Sequence, residues 1–475
     1  MSQIHELTAL ELAAAVRSRT LSPVEIAEHY LDRIAAINRT AGAFVTVTAD
    51  VALRQAYRAE REVLEAADPS ALPPLLGVPV PVQDLTPVKD VRLTLGSAAF
   101  DELVAPVDDP VAARLREAGT TLLGKTTTSE FGLSCFTESD VAPPARNPWS
   151  PDRTAGGASG GSAVAVSAGL APAAHGVDGA GAVRVAASAC GVVGLKPSRG
   201  RVPAGAWAPD PFGLSVPGVL TRTVADAAAL LDVIAADGDG EDWTAPQAER
   251  SFAACAEREP GRLRIGVTAT PPVPGAELDP EVKAAYEQAC LLLESLGHEL
   301  VDTTPVLGPE SARYLDVLWF TTARLHTVRS SRAHQLRPLT AWMRGMGRRV
   351  AGAEVLRAHA ELEKTMRGAM LRQEAAVDVV LTPTLAQAPP PVGWFTDEVG
   401  PAETYERMRA FAPFTAEANL TGRPSISLPL HWSSEGLPLG VMLTGRWGEE
   451  GTLLSLCAQI EAGRGIQEES RLSAA

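Results

Sequence analysis

Hydrophobic residues recur at helical spacing within the first forty residues of the chain. Two segments there open on helix-start signals: Thr8 with Glu11 forms a capping box, and Ser22 is followed by a proline at the first helical position. In the second segment the apolar residues return every three or four positions. The pattern predicts two N-terminal helices over about residues 8–40.

Farther along, short apolar runs alternate with longer stretches of helical periodicity. The predicted strands cover residues 76–82 (entering a loop), 260–268, 377–382 and, as a pair joined by a Ser-Ser-Glu-Gly turn, 424–446. The predicted helices cover residues 110–118, 224–235 and 279–297, with a mostly helical, arginine-rich stretch over 313–372. Strands that alternate with helices predict an α/β fold built on a layered sheet.

Charge and cysteine usage narrow the classes of function. The chain carries a formal net charge of −15 with a pI near 5.1, and no run of Lys or Arg offsets it, so we expect no nucleic-acid partner and no anionic membrane partner. We find no secretory leader pattern and no apolar stretch long enough to span a bilayer. The five widely spaced cysteines fit reduced thiols, which predicts a cytoplasmic protein.

Two glycine-rich loops in the centre of the chain carry the strongest chemical signal. Residues 156–162 read GGASGGS and precede a small-residue helix; residues 178–182 read DGAGA and precede another near 184–190. Glycine loops that lead into helix N-termini present backbone N–H groups, which suit an anion or a developing oxyanion. Close packing of helices on a sheet is the structural alternative. Neither loop matches the phosphate-loop or the dinucleotide-binding pattern.

These loops resemble the signature of the amidase-signature family. Members carry a GGSSGGS loop, a DTGGSIR loop and a CGVVGLKP segment, and the last of these is unchanged here from Cys190. Further similar blocks are GVPV from Gly77, GKT from Gly124, NPW from Asn147, and the closing segments FTAEANLTGRPSISLP and GLPLGVMLTGR. Matches in the same order run from about residue 8 to residue 463.

The resemblance implies one amidase-signature domain over residues 1–475, with a large central mixed and twisted β-sheet flanked by α-helices. Its parts are expected at about 8–40 (N-terminal helices), 75–235 (signature core), 310–375 (helical excursion) and 376–463 (C-terminal strands). In this family a serine of the second loop attacks the amide carbonyl, a serine of the first loop on a cis peptide bond relays the proton, and a neutral lysine is the base.

All three catalytic positions depart from the family pattern. The lysine falls on Gln83, the relay serine on Ala158 and the nucleophile on Ala182; the two alanines keep the usual spacing of 24 residues. Alanine carries no nucleophile, and an amide does not accept a proton near neutral pH. Losing such a unit costs on the order of 10⁶ in kcat by analogy with a serine protease. Ala180 also replaces a family glycine, so a positive φ there would be strained.

For the other hydroxyl, imidazole and thiol groups near the loops, we expect structural roles rather than catalytic ones. Ser159, Ser162 and Ser188 are expected to cap or pack helices, and His175 to be buried and hydrogen-bonded. Cys135 and Cys190 lack a histidine near them in sequence. The residues expected to contact a ligand are Gln83, Ser159, Asp178, Gly179, Ala180, Gly181, Ala182 and Arg184.

Three functions are compatible with the sequence. The first is a pseudo-amidase that binds a small amide, carboxylate or acyl ligand, with a protein partner or a homodimer left open. The second is an enzyme that transfers acyl or amino groups, or condenses substrates, in the old pocket; the third is an amidase with an unorthodox nucleophile such as Ser159. No metal-binding or cofactor motif is present, so neither is predicted.

Overall fold

The computed structural model describes residues 3–205, 210–236, 243–308 and 311–464. The two ends of the predicted 1–475 domain, and residue 310 at the start of the predicted helical excursion, lie outside these ranges. The described α-helices are α1 (Ala9–Arg17), α2 (Pro23–Ala41), α3 (Ala49–Glu65), α4 (Pro110–Glu117), α5 (Gly160–Ser167), α6 (Ala182–Cys190), α7 (Val224–Ile234), α8 (Phe252–Ala256), α9 (Pro280–Ser295), α10 (Ser311–Leu325), α11 (Pro338–Gly347), α12 (Gly352–Ala376), α13 (Pro401–Phe411), α14 (Ala416–Thr421) and α15 (Glu450–Arg464).

The described strands form two sheets. They are β1 (Phe44–Val47), β2 (Val82–Gln83), β3 (Gly124–Thr126), β4 (Ala173–Asp178), β5 (Val193–Lys196), β6 (Val216–Thr221), β7 (Arg264–Val267), β8 (Glu299–Asp302), β9 (Val379–Pro383), β10 (Ser425–Trp432) and β11 (Pro438–Gly445). The larger sheet has the order β4-β6-β5-β10-β11-β9-β7-β8, and the smaller has the order β1-β3-β2. In the larger sheet β9, β7 and β8 run parallel while the other neighbours are antiparallel. The α/β fold with a large mixed, twisted sheet flanked by helices is therefore confirmed.

The N-terminal helices form where their capping residues predict. Thr8 accepts a hydrogen bond from the amide of Glu11, whose side chain in turn caps the helix start, so the capping box is complete. The Ser22 hydroxyl accepts from the first amides of α2, and that helix ends at Gly42, which takes a left-handed φ of 67°. Local sequence therefore determines both the start and the end of α2.

Of two longer predictions, one needed correction and the mostly helical one is confirmed. The run over residues 76–82 is a strand only at its end, as β2, because the prolines at 79 and 81 have no N–H to give to a sheet. The helical stretch over 313–372 is three α-helices, α10 to α12, separated by a 3₁₀ segment and by loops. The pair of strands over 424–446 is confirmed as the antiparallel hairpin of β10 and β11.

Small residues let α5 and α6 lie close to the large sheet. Residues 160–166 of α5 and all of α6 are buried, and most of them are Gly, Ala, Ser or Val. The main hydrophobic core surrounds these helices, while a second cluster joins α10, α11 and α13. Val185 and Ala189 of α6 belong to the second cluster, so α6 lies between the two cores. Within the described ranges, no helix combines the length and the apolar character that crossing a membrane requires.

Candidate functional site

The loop that joins β4 to α6 is held from behind by Asp178, the last residue of β4. One carboxylate oxygen of Asp178 accepts from the amide of Gly181 at 2.7 Å, and the other accepts from the amide of Val183 at 3.2 Å. The side-chain amide of Asn419 donates both to this carboxylate and to the backbone carbonyl of Asp178. Asp178 is fully buried and shapes the loop without facing open space.

Gly181 provides the conformation that the turn into α6 requires. Its φ is 122°, and a Cβ at this position would collide with the side chain of Thr415. Ala180 does not take a positive φ, so the strain that its replacement of a family glycine would have caused does not arise. Thr415 also donates a hydrogen bond to the carbonyl of Ala180 at 2.7 Å, which fixes the loop from its other side.

Arg184 lies behind the loop and is fully buried. Its guanidinium forms an ion pair with Asp178 at 2.9 Å and also donates to the carbonyl of Thr415 and to the side chain of Asn419. The same arginine, with burial opposing it, holds the pKa of the Asp178 carboxyl below its usual value. The guanidinium is committed to these partners, so the expected ligand contact by Arg184 has no support in the geometry.

Gln83 ends β2 and connects three segments through its side-chain amide. The amide oxygen accepts from the Ser159 hydroxyl at 2.9 Å and from the amide of Val177 in β4 at 2.6 Å. The amide nitrogen donates to Thr128 at 2.8 Å. Two donors occupy the lone pairs of the oxygen, and the residue is fully buried. Gln83 therefore acts as an internal brace and leaves no acceptor for a ligand.

The first glycine loop brings Ala158 and Ser159 to the start of α5. The peptide bond between Gly157 and Ala158 is cis. The Ser159 hydroxyl donates to Gln83 and lies 3.2 Å from the carbonyl of Val177, and the residue has no exposed surface. Ser162 is similarly internal, donating to the carbonyl of His175.

A cavity of about 120 Å³ opens beside the second loop. Ala180, Gly181 and Ala182 line it, together with Gly157 of the first loop. The remaining expected residues are elsewhere: the cavity lining does not include Gln83, Ser159, Ala158, Asp178, Gly179 or Arg184. The amide of Gly181 is bound to Asp178. The other two loop residues that line the cavity are Ala180 and Ala182, and their amides are the ones left for a ligand. The structure thus brings together the loop and an opening in front of it.

The wall of the cavity facing the loop comes from α10 and α13. Leu315 and Trp319 of α10 and Met408 of α13 give it an apolar surface. Trp319 also reaches back to the loop, since its ring would lie 3.4 Å from a Cβ on Gly179. This apolar wall with a few polar groups is typical of small-molecule sites.

A polar cluster interrupts this apolar wall. The hydroxyl of Tyr405 donates to Asp316 at 2.7 Å, and a guanidinium nitrogen of Arg409 lies 3.5 Å from the second oxygen of Asp316. Burial raises the pKa of the Asp316 carboxyl, against the opposing effect of Tyr405 and Arg409. Sequence reasoning missed these residues. The spacing of 405, 408, 409 and 412 along one helix face was the available signal, but no local motif accompanies it.

Other titratable groups near the loops are buried in ways that limit their chemistry. Lys125 forms a buried ion pair with Asp84 at 2.9 Å, and burial lowers the pKa of its ammonium group. Burial and the nearby Lys125 lower the pKa of His175 to about 3, and neither ring nitrogen has a hydrogen-bond partner among the described residues. The expectation that His175 is hydrogen-bonded was therefore wrong. Cys135 lines the cavity, where burial raises the pKa of its thiol.

Comparison with known proteins identifies the family of this chain. The family model described as Amidase matches residues 25–454 of the chain. The chain belongs to the amidase-signature family. A putative amidase from Synechocystis sp. is 34% identical to this chain. The alignment covers 96% of this chain and 88% of the relative.

A second relative has a named substrate. The 6-aminohexanoate-cyclic-dimer hydrolase of Paenarthrobacter ureafaciens is 36% identical, covering 94% of this amidase-family chain and 93% of its own. A solved structure of a 6-aminohexanoate cyclic dimer hydrolase superposes with a TM-score of 0.90 at 31% identity, covering all of both chains. Over nearly its whole length the chain thus shares its family and fold with proteins named as a putative amidase and as a hydrolase of the 6-aminohexanoate cyclic dimer.

Proposed function

We propose that this protein is a pseudo-amidase, a member of its family that binds a small amide, carboxylate or acyl ligand without hydrolysing it. The observation that carries the proposal is the state of three positions. The family base, relay and nucleophile correspond to Gln83, Ala158 and Ala182, and none of these side chains can attack a carbonyl or remove a proton near neutral pH. The names of the relatives argue for hydrolysis in general, and these three positions separate this chain from that expectation.

The hydrogen bonds of Gln83 are a second reason, beside the low basicity of an amide, to infer that the family base is lost. Its oxygen is a hydrogen-bond acceptor for Ser159 and Val177, so this side chain now serves the internal structure. A neutral lysine amine, the form of the family base, has a single lone pair and could not accept from both the Ser159 hydroxyl and the Val177 amide. The residue therefore fits a structural role that is distinct from proton transfer.

Retained binding is supported by the loop and the cavity together. Asp178 holds the loop through backbone amides and Arg184, which are unaffected by the side chain at position 182. The loop borders a cavity of about 120 Å³, which exceeds the space that a single water needs. A carbonyl or carboxylate oxygen in this cavity would lie beside backbone donors at the N-terminus of α6.

An amidase that uses Ser159 gains no support from its surroundings. The hydroxyl donates to an amide oxygen, which cannot accept the proton, and the residue does not line the cavity. Acyl or amino-group transfer in the old pocket would use the same loop and the same cavity, and no specific contact favours it over binding alone.

The proposal is tested by incubating the protein with primary amides, anilides and p-nitrophenyl esters and following product release. We expect no hydrolysis above the uncatalysed rate and no adduct by mass spectrometry after exposure to a fluorophosphonate. Thermal shift with small amides and carboxylates should meanwhile show stabilisation, because a ligand that binds only the folded state raises its stability.

Two variants sharpen the test. The triple variant Gln83→Lys/Ala158→Ser/Ala182→Ser restores the family pattern and is expected to acquire hydrolysis that the wild type lacks. If the wild type itself hydrolyses these substrates and Ser159→Ala abolishes the activity, the pseudo-amidase proposal is wrong and the unorthodox nucleophile is correct. Absence of any stabilising ligand would refute the retained binding site.

A further inference from the structure

The apolar wall of the cavity beside the second glycine loop contains a charged group, Asp316. This group indicates which chemical group the ligand has at its far end. Asp316 lies on α10 three residues before Trp319, so both side chains project from one face of the helix. Trp319 contacts the loop, and Asp316, which also lines the cavity, lies about one helical turn from Trp319 along the wall. A ligand that reached from the loop to Asp316 would therefore lie against Trp319.

The partners of Asp316 leave its charge incompletely balanced. Tyr405 is a neutral donor to one oxygen, and Arg409 lies 3.5 Å from the other while also lying 3.4 Å from Glu406. One guanidinium is thus shared between two carboxylates. The side chain of Asp316 is 24% exposed, and both Asp316 and Arg409 line the cavity. Two negative charges against one positive charge favour a cation as the next neighbour.

We propose that the site selects an amide or acyl ligand bearing an amino group, with the carbonyl beside the loop and the ammonium on Asp316. The wall between the two ends is formed by Leu315, Trp319 and Met408, so the connecting segment is a short apolar chain. The ring of Trp319 adds a favourable surface for the positive charge. This inference rests on the proposed function, because it specifies the ligand of the same cavity.

The experiment is calorimetry with pentanamide, its ω-amino derivative and its ω-carboxy derivative, repeated with longer homologues of each. We expect the wild type to bind the amino compound about tenfold more tightly than the methyl-terminated compound of equal length. Asp316→Asn should remove that difference while binding the methyl-terminated compound as the wild type does. Asp302→Asn, which changes an exposed acid at the end of β8, is the matched control and should alter neither affinity.

Tyr405→Phe guards against a purely structural explanation. It removes the donor to Asp316 but keeps the carboxylate, so preference for the amino compound should persist or increase. Loss of the preference in this variant would mean that packing, not charge, determines selection. Tighter binding of the ω-carboxy derivative would overturn the inference in favour of Arg409 as the recognition group. If the wild type binds the methyl-terminated and amino compounds equally, Asp316 does not select the ligand and this inference is wrong. If no amide binds at all, the proposed function is wrong as well.

Discussion

The three hydrogen bonds of Gln83 predict that its side chain stabilises the folded protein. Gln83→Leu preserves the approximate size of the side chain and removes all three of its hydrogen bonds. The amide of Val177, which is part-buried, loses its acceptor, and leaving such a donor unsatisfied costs up to about 1–3 kcal/mol. The bond to Thr128 is worth about 1 kcal/mol, whereas Ser159 retains the carbonyl of Val177 at 3.2 Å as an alternative acceptor. The sum is a destabilisation of roughly 2–4 kcal/mol.

The assay is equilibrium unfolding in urea, followed by circular dichroism and tryptophan fluorescence to check that the transitions coincide. The matched control is Gln288→Leu, which changes an exposed glutamine on α9 and should shift the free energy of unfolding by less than about 0.5 kcal/mol. If Gln83→Leu unfolds at the same urea concentration as this control, the side chain is not a brace.

Two further predictions concern acid sensitivity and the loop. Burial lowers the pKa of His5 to about 4, of His175 to about 3 and of His326 to about 4, so each is neutral when folded and gains a proton on unfolding below its free value of 6.5. Their stabilising contribution is complete above pH 6.5 and is lost as the pH falls toward 4, because the unfolded chain then binds protons that the folded chain does not. Urea midpoints measured across this range should fall. His175→Leu should flatten the slope, whereas an unchanged slope would contradict the assignment. Gly181→Ala should lower the melting temperature and abolish ligand-induced stabilisation, because the alanine Cβ collides with its neighbour at a positive φ; a variant that binds ligand normally would show that the loop tolerates another shape.

Local signals allowed much of the fold to be predicted from the sequence. Helix α2 is determined by Ser22 and Gly42 at its ends, and the hairpin of β10 and β11 by apolar runs around a short turn. These features depend on residues that are close in sequence. The strand over residues 76–82 was overextended because a proline-rich apolar run resembles a strand until its hydrogen bonds are counted.

The site was less predictable, since its contacts join distant parts of the chain. The loop around Gly181 was recognisable from its glycines and from the family resemblance. The contact of Gln83 with Val177 crosses 94 residues, and that of Tyr405 with Asp316 crosses 89. No spacing rule reports such pairs, so both the commitment of Gln83 to the interior and the charged wall of the cavity emerge only from the folded chain.

The way Asp178 supports the loop separates the shape of the backbone from the identity of the residue that faces the cavity. The carboxylate binds amides and Arg184 on the inner side, so none of these bonds depends on the side chain at position 182. Variation at this position is therefore free to follow chemistry under little constraint from folding. The same property makes it a natural attachment point for engineering, where a cysteine introduced at a preformed helix start would have a thiol with enhanced acidity.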